Sequence, residues 1–293
     1  MSPKTIGLIA HTGKAGAAQL IRELAAEFEQ AGLAVKLESA TAELVGLKSK
    51  LSVADLGHQT DLLVVLGGDG TILSVVSRLG DTIKPIFGIN IGSLGFLTCL
   101  NSSAFREGVE SIAKGEIAFS ERALLSVEVT KDGKCVAKAT ALNDAVISRG
   151  ELSRLIRLRT RVNGESLTEF NADGLVIATP TGSTAYSLSA GGPILAPQSG
   201  VLVITPICPH VLTNRSVIVE DDSVIEVEAG EREYPVYLTV DGGQPIPVEF
   251  QSTVKIRKSE KVLPLAVLPN LSFFGVVRQK LKWSGSNLGE GLA

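Results

Sequence analysis

Hydrophobic and polar positions change rhythm partway along this chain. In the first hundred residues, continuous apolar runs alternate with stretches where apolar residues recur every three or four positions. Residues 5–10 form one such run, Leu20, Ile21, Leu24 and Phe28 then share a helical face, and residues 33–37 read as a second strand. Further strands are predicted at 61–66 and 85–90. Between them, a helix beginning near Thr71 aligns Ile72, Val75, Val76 and Leu79. This βαβ order predicts a parallel sheet flanked by helices, with ligands beyond the C-terminal ends of its strands.

From about residue 120 the pattern becomes short alternating runs punctuated by Asp132-Gly133, Asn163-Gly164 and Asp241-Gly242, which are hairpin signals. Strands are predicted at 126–131, 157–162, 175–179, 201–206, 224–228 and 254–258, giving a mostly antiparallel β region. Near the end, Phe273, Val277 and Leu281 return to helical spacing with basic residues between them, so this segment is expected to pack back on the first half. Residues 285–293 read as a frayed end.

Composition narrows the classes. A chain of 293 residues, 44% hydrophobic, has ample core material for two modest domains or one large one. A net charge of -3 with interspersed Lys and Arg gives no basic stripe, which argues against a nucleic-acid partner. No apolar stretch reaches the roughly 18 residues of a membrane span, and the start has no signal-peptide pattern, so a cytoplasmic protein is expected. Cys99, Cys135 and Cys208 are odd in number and far apart, fit no disulfide framework, and read as packing residues.

Candidate chemistry begins at residues 67–71, Gly-Gly-Asp-Gly-Thr, where a strand ends in a glycine turn that opens a helix. Such a turn presents main-chain N–H groups and the positive end of a helix to phosphate oxygens. Asp69 is the odd member, since a carboxylate repels phosphate: it is a base, a metal-organising group or a plain helix cap. A P-loop is excluded, because Gly13-Lys14 is flanked by Leu8 and Ala15 where the motif needs glycine and a hydroxyl residue. A dinucleotide fingerprint is excluded as well, because Leu73 stands where its third glycine belongs. A second constellation, residues 173–193, is a strand followed by a loop dense in hydroxyls and glycines around Tyr186. It suits a polar ligand with a flat ring, or a structural turn.

Together with residues 90–96, 142–144, 205–210 and 241–242, in this order and spacing, these segments resemble the NAD kinase family, of the bacterial type that uses ATP or polyphosphate. The glycine turn alone is shared with lipid kinases, whereas the Thr-Pro-Thr-Gly-Ser-Thr-Ala-Tyr segment is far more specific. The resemblance implies a Rossmann-like parallel-sheet domain (residues 1–100, rejoined by 271–293) and a β-sandwich-like NAD-binding domain (101–270). It implies transfer of the γ-phosphoryl group of ATP to the 2′-hydroxyl of the adenosine ribose of NAD, giving NADP. Asp69 would be the base, and Gly68, Gly70 and Thr71 would cradle phosphates, with Mg²⁺ carried mainly by ATP rather than by protein ligands. Asn143, Asp144, Asp173, Ser183, Thr184, Ala185, Tyr186 and Ser189 would hold NAD, and Phe96 would offer it an apolar wall. The family has Asn-Glu where this chain has Asn143-Asp144, one methylene shorter, which predicts a bridging water to ribose. His210 is read as an imidazole that is packed, or that supports the site from behind, and takes no part in the chemistry. The family also implies small-molecule partners only and a homodimer or homotetramer. The alternatives are a lipid kinase of the same superfamily and a non-catalytic dinucleotide sensor.

Overall fold

The computed structural model of the chain describes residues 3–92, 95–150, 154–229, 235–268 and 272–283. Residues 93–94, within the family-like segment 90–96, residue 271 and the predicted frayed end therefore lie outside the described residues. The first half runs β1 (Thr5–Ala10), α1 (Ala17–Gln30), β2 (Ala34–Leu37), α2 (Ser39–Leu44), α3 (Val53–Gln59), β3 (Leu62–Gly67), α4 (Asp69–Leu79), β4 (Ile86–Asn90), β5 (Leu100–Asn101) and α5 (Phe105–Lys114). Strands β2, β1, β3 and β4 pair in parallel in that order. The side-chain alternation of a strand assigns the two faces. Leu62, Val64 and Leu66 join α1 and α5 in one apolar cluster, whereas Leu63 and Val65 join α3 and α4 in another.

The second half begins with β6 (Ala118–Lys131), β7 (Lys134–Ala141), β8 (Asp144–Arg149), β9 (Ile156–Val162), β10 (Glu165–Ala172), β11 (Gly174–Ala178) and the short α6 (Tyr186–Ser189). It continues through β12 (Val201–Ile207), β13 (Val217–Glu220), β14 (Ile225–Ala229), β15 (Val236–Val240), β16 (Ile246–Val248), β17 (Thr253–Val267) and α7 (Phe273–Leu281). The predicted hairpin dipeptides adopt left-handed backbone at both residues, with φ of 49° and 73° at Asp132-Gly133 and 52° and 81° at Asn163-Gly164. An antiparallel sheet ordered β13-β12-β11-β8-β15-β16 packs one face, including Ile147, Ile177 and Ile204, against the antiparallel part of the larger sheet. Its other face carries Val146, Val176 and Val203.

The two halves share a sheet. The predicted strand 254–258 is the start of a 15-residue strand, β17, which pairs antiparallel with β6 and β14 and then reaches β4 in parallel at Leu265–Ile86. Its charged middle, Lys258 to Lys261, hides that continuity from a hydrophobicity pattern. The final helix returns to the first half as expected, with the Phe273 ring 6.5 Å from that of Phe96.

The cysteine expectation is corrected in two of three places: Cys135 and Cys208 are exposed. Cys99 is buried, and burial pushes its thiol up to about 12. His210 is likewise exposed rather than packed, and its main-chain N–H donates to Asn171 O.

Candidate functional site

The chain leaves β1 towards β2 on one side and enters β3 on the other, so the sheet order switches between β1 and β3. The turn at 67–71 lies at the C-terminal end of β3, beside that switch point, where open α/β sheets bind ligands. Gly68 is the N-cap of α4 in extended backbone, and Asp69 is the first helical residue. A Cβ on Gly67 would sit 2.2 Å from the Thr71 hydroxyl, so this glycine lets Thr71 fold back over the turn. At Gly68 and Gly70 a Cβ would meet nothing within 4 Å. Those two glycines keep an open approach to the main chain.

Asp69 does not cap its own helix. Its Oδ2 accepts from Phe96 N at 2.9 Å and its Oδ1 from Leu97 N at 3.0 Å. Gly95 permits this clamp, because a Cβ there would lie 1.9 Å from Asp69 Oδ1. Each carboxylate oxygen has a further lone pair. The half-buried group is thus oriented by distant amides while it can still accept another hydrogen bond.

A second group of residues is stitched together through main chain. Asp241, in left-handed backbone with φ 47°, accepts from Leu142 N at 2.6 Å through Oδ2. Its Oδ1 accepts from Asn143 N at 2.8 Å and Asp144 N at 3.0 Å. Thr179 binds the same segment from the other side, its N–H donating to Asn143 O at 2.9 Å and its hydroxyl to Leu142 O at 2.6 Å. Gly182 rests directly on Asn143, whose carbonyl oxygen would be 2.1 Å from a Cβ. Burial, and next the Asp241 charge, raise the Asp144 carboxyl to about 7, partly offset by a hydrogen bond from the Tyr186 main chain. The Asp241 carboxyl is also raised by burial, against the three amides that favour its charged form. The Asn143 Oδ1 atom is buried with no hydrogen-bond partner.

These residues open on a cavity of about 410 Å³ lined by Asn143, Asp144, Ala185, Tyr186, Asp241 and Leu73. Leu73 belongs to α4, so the helix that starts at Asp69 forms one wall of the cavity that holds Asn143. Tyr186 is 46% exposed, Ser189 is exposed, and Thr184 donates its hydroxyl to Thr181 O at 3.2 Å.

Three predicted ligand residues lie outside that cavity. Ser183 is fully buried, with its hydroxyl donating to Pro180 O at 2.7 Å and accepting from Leu195 N at 2.9 Å, so it shapes the loop. Asp173 lies at the opposite end of β11 from Thr179 and pairs with Arg149 Nε at 2.7 Å. Phe96 lines a second cavity with Arg122 and Phe273 instead of the one holding Asn143. Sequence reasoning placed Gly95 in the segment 90–96 without the clearance it gives Asp69 and missed Arg149, and it read Asp241 in the Asp-Gly pair as a turn signal, which says nothing of the amides its carboxylate would bind. Among the described residues no three His, Cys, Asp or Glu gather as a cation site, and no helix is long and apolar enough to cross a membrane.

Comparison with known proteins agrees with this layout. The family model for the ATP-NAD kinase N-terminal domain matches residues 6–117, and that for the ATP-NAD kinase C-terminal domain matches residues 142–268. The chain is 41% identical over 280 residues to an NAD kinase of Solibacter usitatus, covering 96% of this chain and 98% of that protein. It is 43% identical over 252 residues to an NAD kinase of Geotalea daltonii, covering 86% and 89%. Among solved structures, yeast NADH kinase complexed with NADH superposes with a TM-score of 0.88 at 25% identity, over 98% of this chain and 90% of that one. An NAD kinase from Archaeoglobus fulgidus in complex with ATP shares the fold, with a TM-score of 0.75 at 23% identity over 96% of this chain and 100% of that one. With both of its halves matched and relatives above 40% identity along nearly its whole length, the chain belongs to the NAD kinase family.

Proposed function

We propose that this protein transfers the γ-phosphoryl group of ATP to the 2′-hydroxyl of the adenosine ribose of NAD, and that Asp69 is the residue that takes the hydroxyl proton. The observation that carries the reading is the shared cavity, in which α4 from the phosphate turn meets Asn143 and Asp144. Residues 1–100 with 271–293 serve the phosphate side, and residues 101–270 the dinucleotide side.

NAD lies with its adenosine against Asn143 and Asp144. The unpartnered Asn143 Oδ1 suits the exocyclic amine of adenine, and Asp144 accepts from ribose, directly or through a water. Ala185, Tyr186, Thr184 and Ser189 flank the dinucleotide, with Tyr186 offering an aromatic face. Asp173, fixed by Arg149, accepts from the nicotinamide carboxamide. On the donor side, Gly68, Gly70 and Thr71 approach the phosphates through the open main chain of the turn.

An aspartate with a solution pKa of about 3.9 cannot deprotonate a ribose hydroxyl in the ground state. In a loose phosphoryl transfer the nucleophile sheds its proton late, as bonding to phosphorus advances, so orientation counts for more than basicity. The amides of Phe96 and Leu97 supply that orientation by fixing the carboxylate plane. Mg²⁺ would be carried on the nucleotide phosphates as part of the substrate, where it would offset the charge of Asp69. The enzyme acts in the cytoplasm as a homodimer or homotetramer, as its family resemblance implies.

Asp69→Asn tests the assignment. Turnover should fall at least about 100-fold, with NAD affinity by calorimetry nearly unchanged. A variant that keeps more than about a tenth of wild-type kcat would overturn it, since positioned bases contribute more than that.

A further inference from the structure

Arg122 is a cation buried where no described residue balances its charge. It sits on β6 opposite Leu263 of β17 and is only 7% exposed. Its Nε has no hydrogen-bond partner, and its one side-chain hydrogen bond among the described residues is a long one from Nη1 to Thr181 Oγ1 at 3.5 Å. Among the described residues no carboxylate pairs with it, and Glu121, its chain neighbour, is exposed on the other side of the strand. Burial alone lowers its pKa to about 10, so the guanidinium remains charged at neutral pH. A buried guanidinium of this kind is strongly unfavourable unless an anion completes it.

The space for that anion is present. Arg122 lines a cavity of about 230 Å³, together with Ser120, Gln198, Phe96, Phe273 and Ser272. The volume is below that of sites that enclose whole drug-sized ligands, so it suits a small ion or one end of a larger molecule. Its polar side chains are the Arg122 fork, the Gln198 amide, which donates to Ser120 Oγ at 2.9 Å, the Thr98 hydroxyl, and Ser272 at the start of α7. No carboxylate lines it among the described residues. A planar fork with additional donors around it matches the several oxygens of a phosphate group.

We propose that Arg122 is the base of a phosphate-binding site at the junction of β6, β17 and α7, separate from the glycine turn at 67–71. Its occupant is an inorganic phosphate or a phosphate group of a nucleotide. Phe96 and Leu97 line this cavity and donate their amides to Asp69, so occupancy also braces the segment that orients the carboxylate.

The test is thermal unfolding of the full chain against inorganic phosphate, with chloride at matched ionic strength as control. The melting temperature of the wild type should rise with phosphate and saturate, as linkage requires for a ligand of the native state. Arg122→Met should remove that response and melt no lower than wild type in phosphate-free buffer. Absence of a phosphate-specific rise in the wild type, an undiminished rise in Arg122→Met, or marked destabilisation of Arg122→Met without phosphate would each overturn the site. If Arg122→Met does not fold, tungstate soaked into wild-type crystals decides: density at the guanidinium supports the site, and its absence overturns it. Repeating the titration with a saturating non-hydrolysable ATP analogue assigns the occupant. A response that persists identifies the free ion, one that disappears identifies a nucleotide phosphate, and both support the site.

Discussion

The glycine turn at 67–71 and the cavity that holds Asn143 are built by opposite strategies. Residues 67–71 are consecutive, and a strand end, two unobstructed glycines and a helix start do most of the work. The segment 142–144 has no such local logic: Asp241, Thr179 and Gly182, all distant in sequence, hold it through main-chain contacts. Damage to the first region should therefore appear in turnover, and damage to the second in affinity for NAD. The exception is Asp69, a local residue whose orientation depends on the remote amides of Phe96 and Leu97.

After Asp69→Asn, the largest expected effect comes from Gly95→Ala, which separates position from chemistry. The new Cβ would displace the Asp69 carboxylate, the free end of a side chain, and leave the main chain largely in place. Since misplacement of about 1 Å costs on the order of 100-fold, kcat should drop by about that much. The KM for NAD and the melting temperature should change little; a rise in KM with normal kcat would mean that the 95–98 segment serves the dinucleotide instead.

On the acceptor side, pH should act through Asp144. Burial raises its carboxyl to about 7, so the ionised form proposed to accept from ribose grows as pH rises. The KM for NAD should fall roughly tenfold from about pH 6 to pH 8, the ratio of ionised fractions for such a group, and Asp144→Asn should flatten the profile. The stability effect has the opposite sign. Because the folded pKa lies above the unfolded one, the stabilisation is fully present below about pH 4 and is lost as pH climbs through about 7. Melting curves across this range check the sign.

Asp241→Asn should have the smallest effect on rate. The neutral amide removes the charge next to Asp144, so the midpoint of the KM profile should move to lower pH. The oxygen it retains can serve only part of the three amides, which should cost about 1–3 kcal/mol in stability, measurable by denaturant unfolding. An unmoved midpoint would show that burial alone raises Asp144.

Much of this was legible in the sequence. The strands from β1 to β4 and the helices at Leu20–Phe28 and Ile72–Leu79 follow from apolar runs and helical spacing, because their faces are buried against one another. The full length of β17 was not, since its middle is charged and its pairing partners lie on both sides of the molecule. Of the predicted ligand residues, Asn143, Asp144, Ala185 and Tyr186 share a cavity. Ser183 and Phe96 do not, because whether a hydroxyl or ring faces solvent or a neighbour is a property of packing.

The sequence by itself determined the βαβ rhythm, the hairpin turns, the phosphate-type glycine turn and, through its longer motifs, the resemblance to a family. These are set by periodicity and by backbone preferences that act over a few residues. Only the tertiary structure decided that Asp69 is held by Phe96 and Leu97, that Asp241 gathers residues 142–144, and that Arg122 is buried without a counter-charge among the described residues. Hydrogen bonds and desolvation depend on which distant groups approach within a few ångströms, and no pattern along the chain carries that distance.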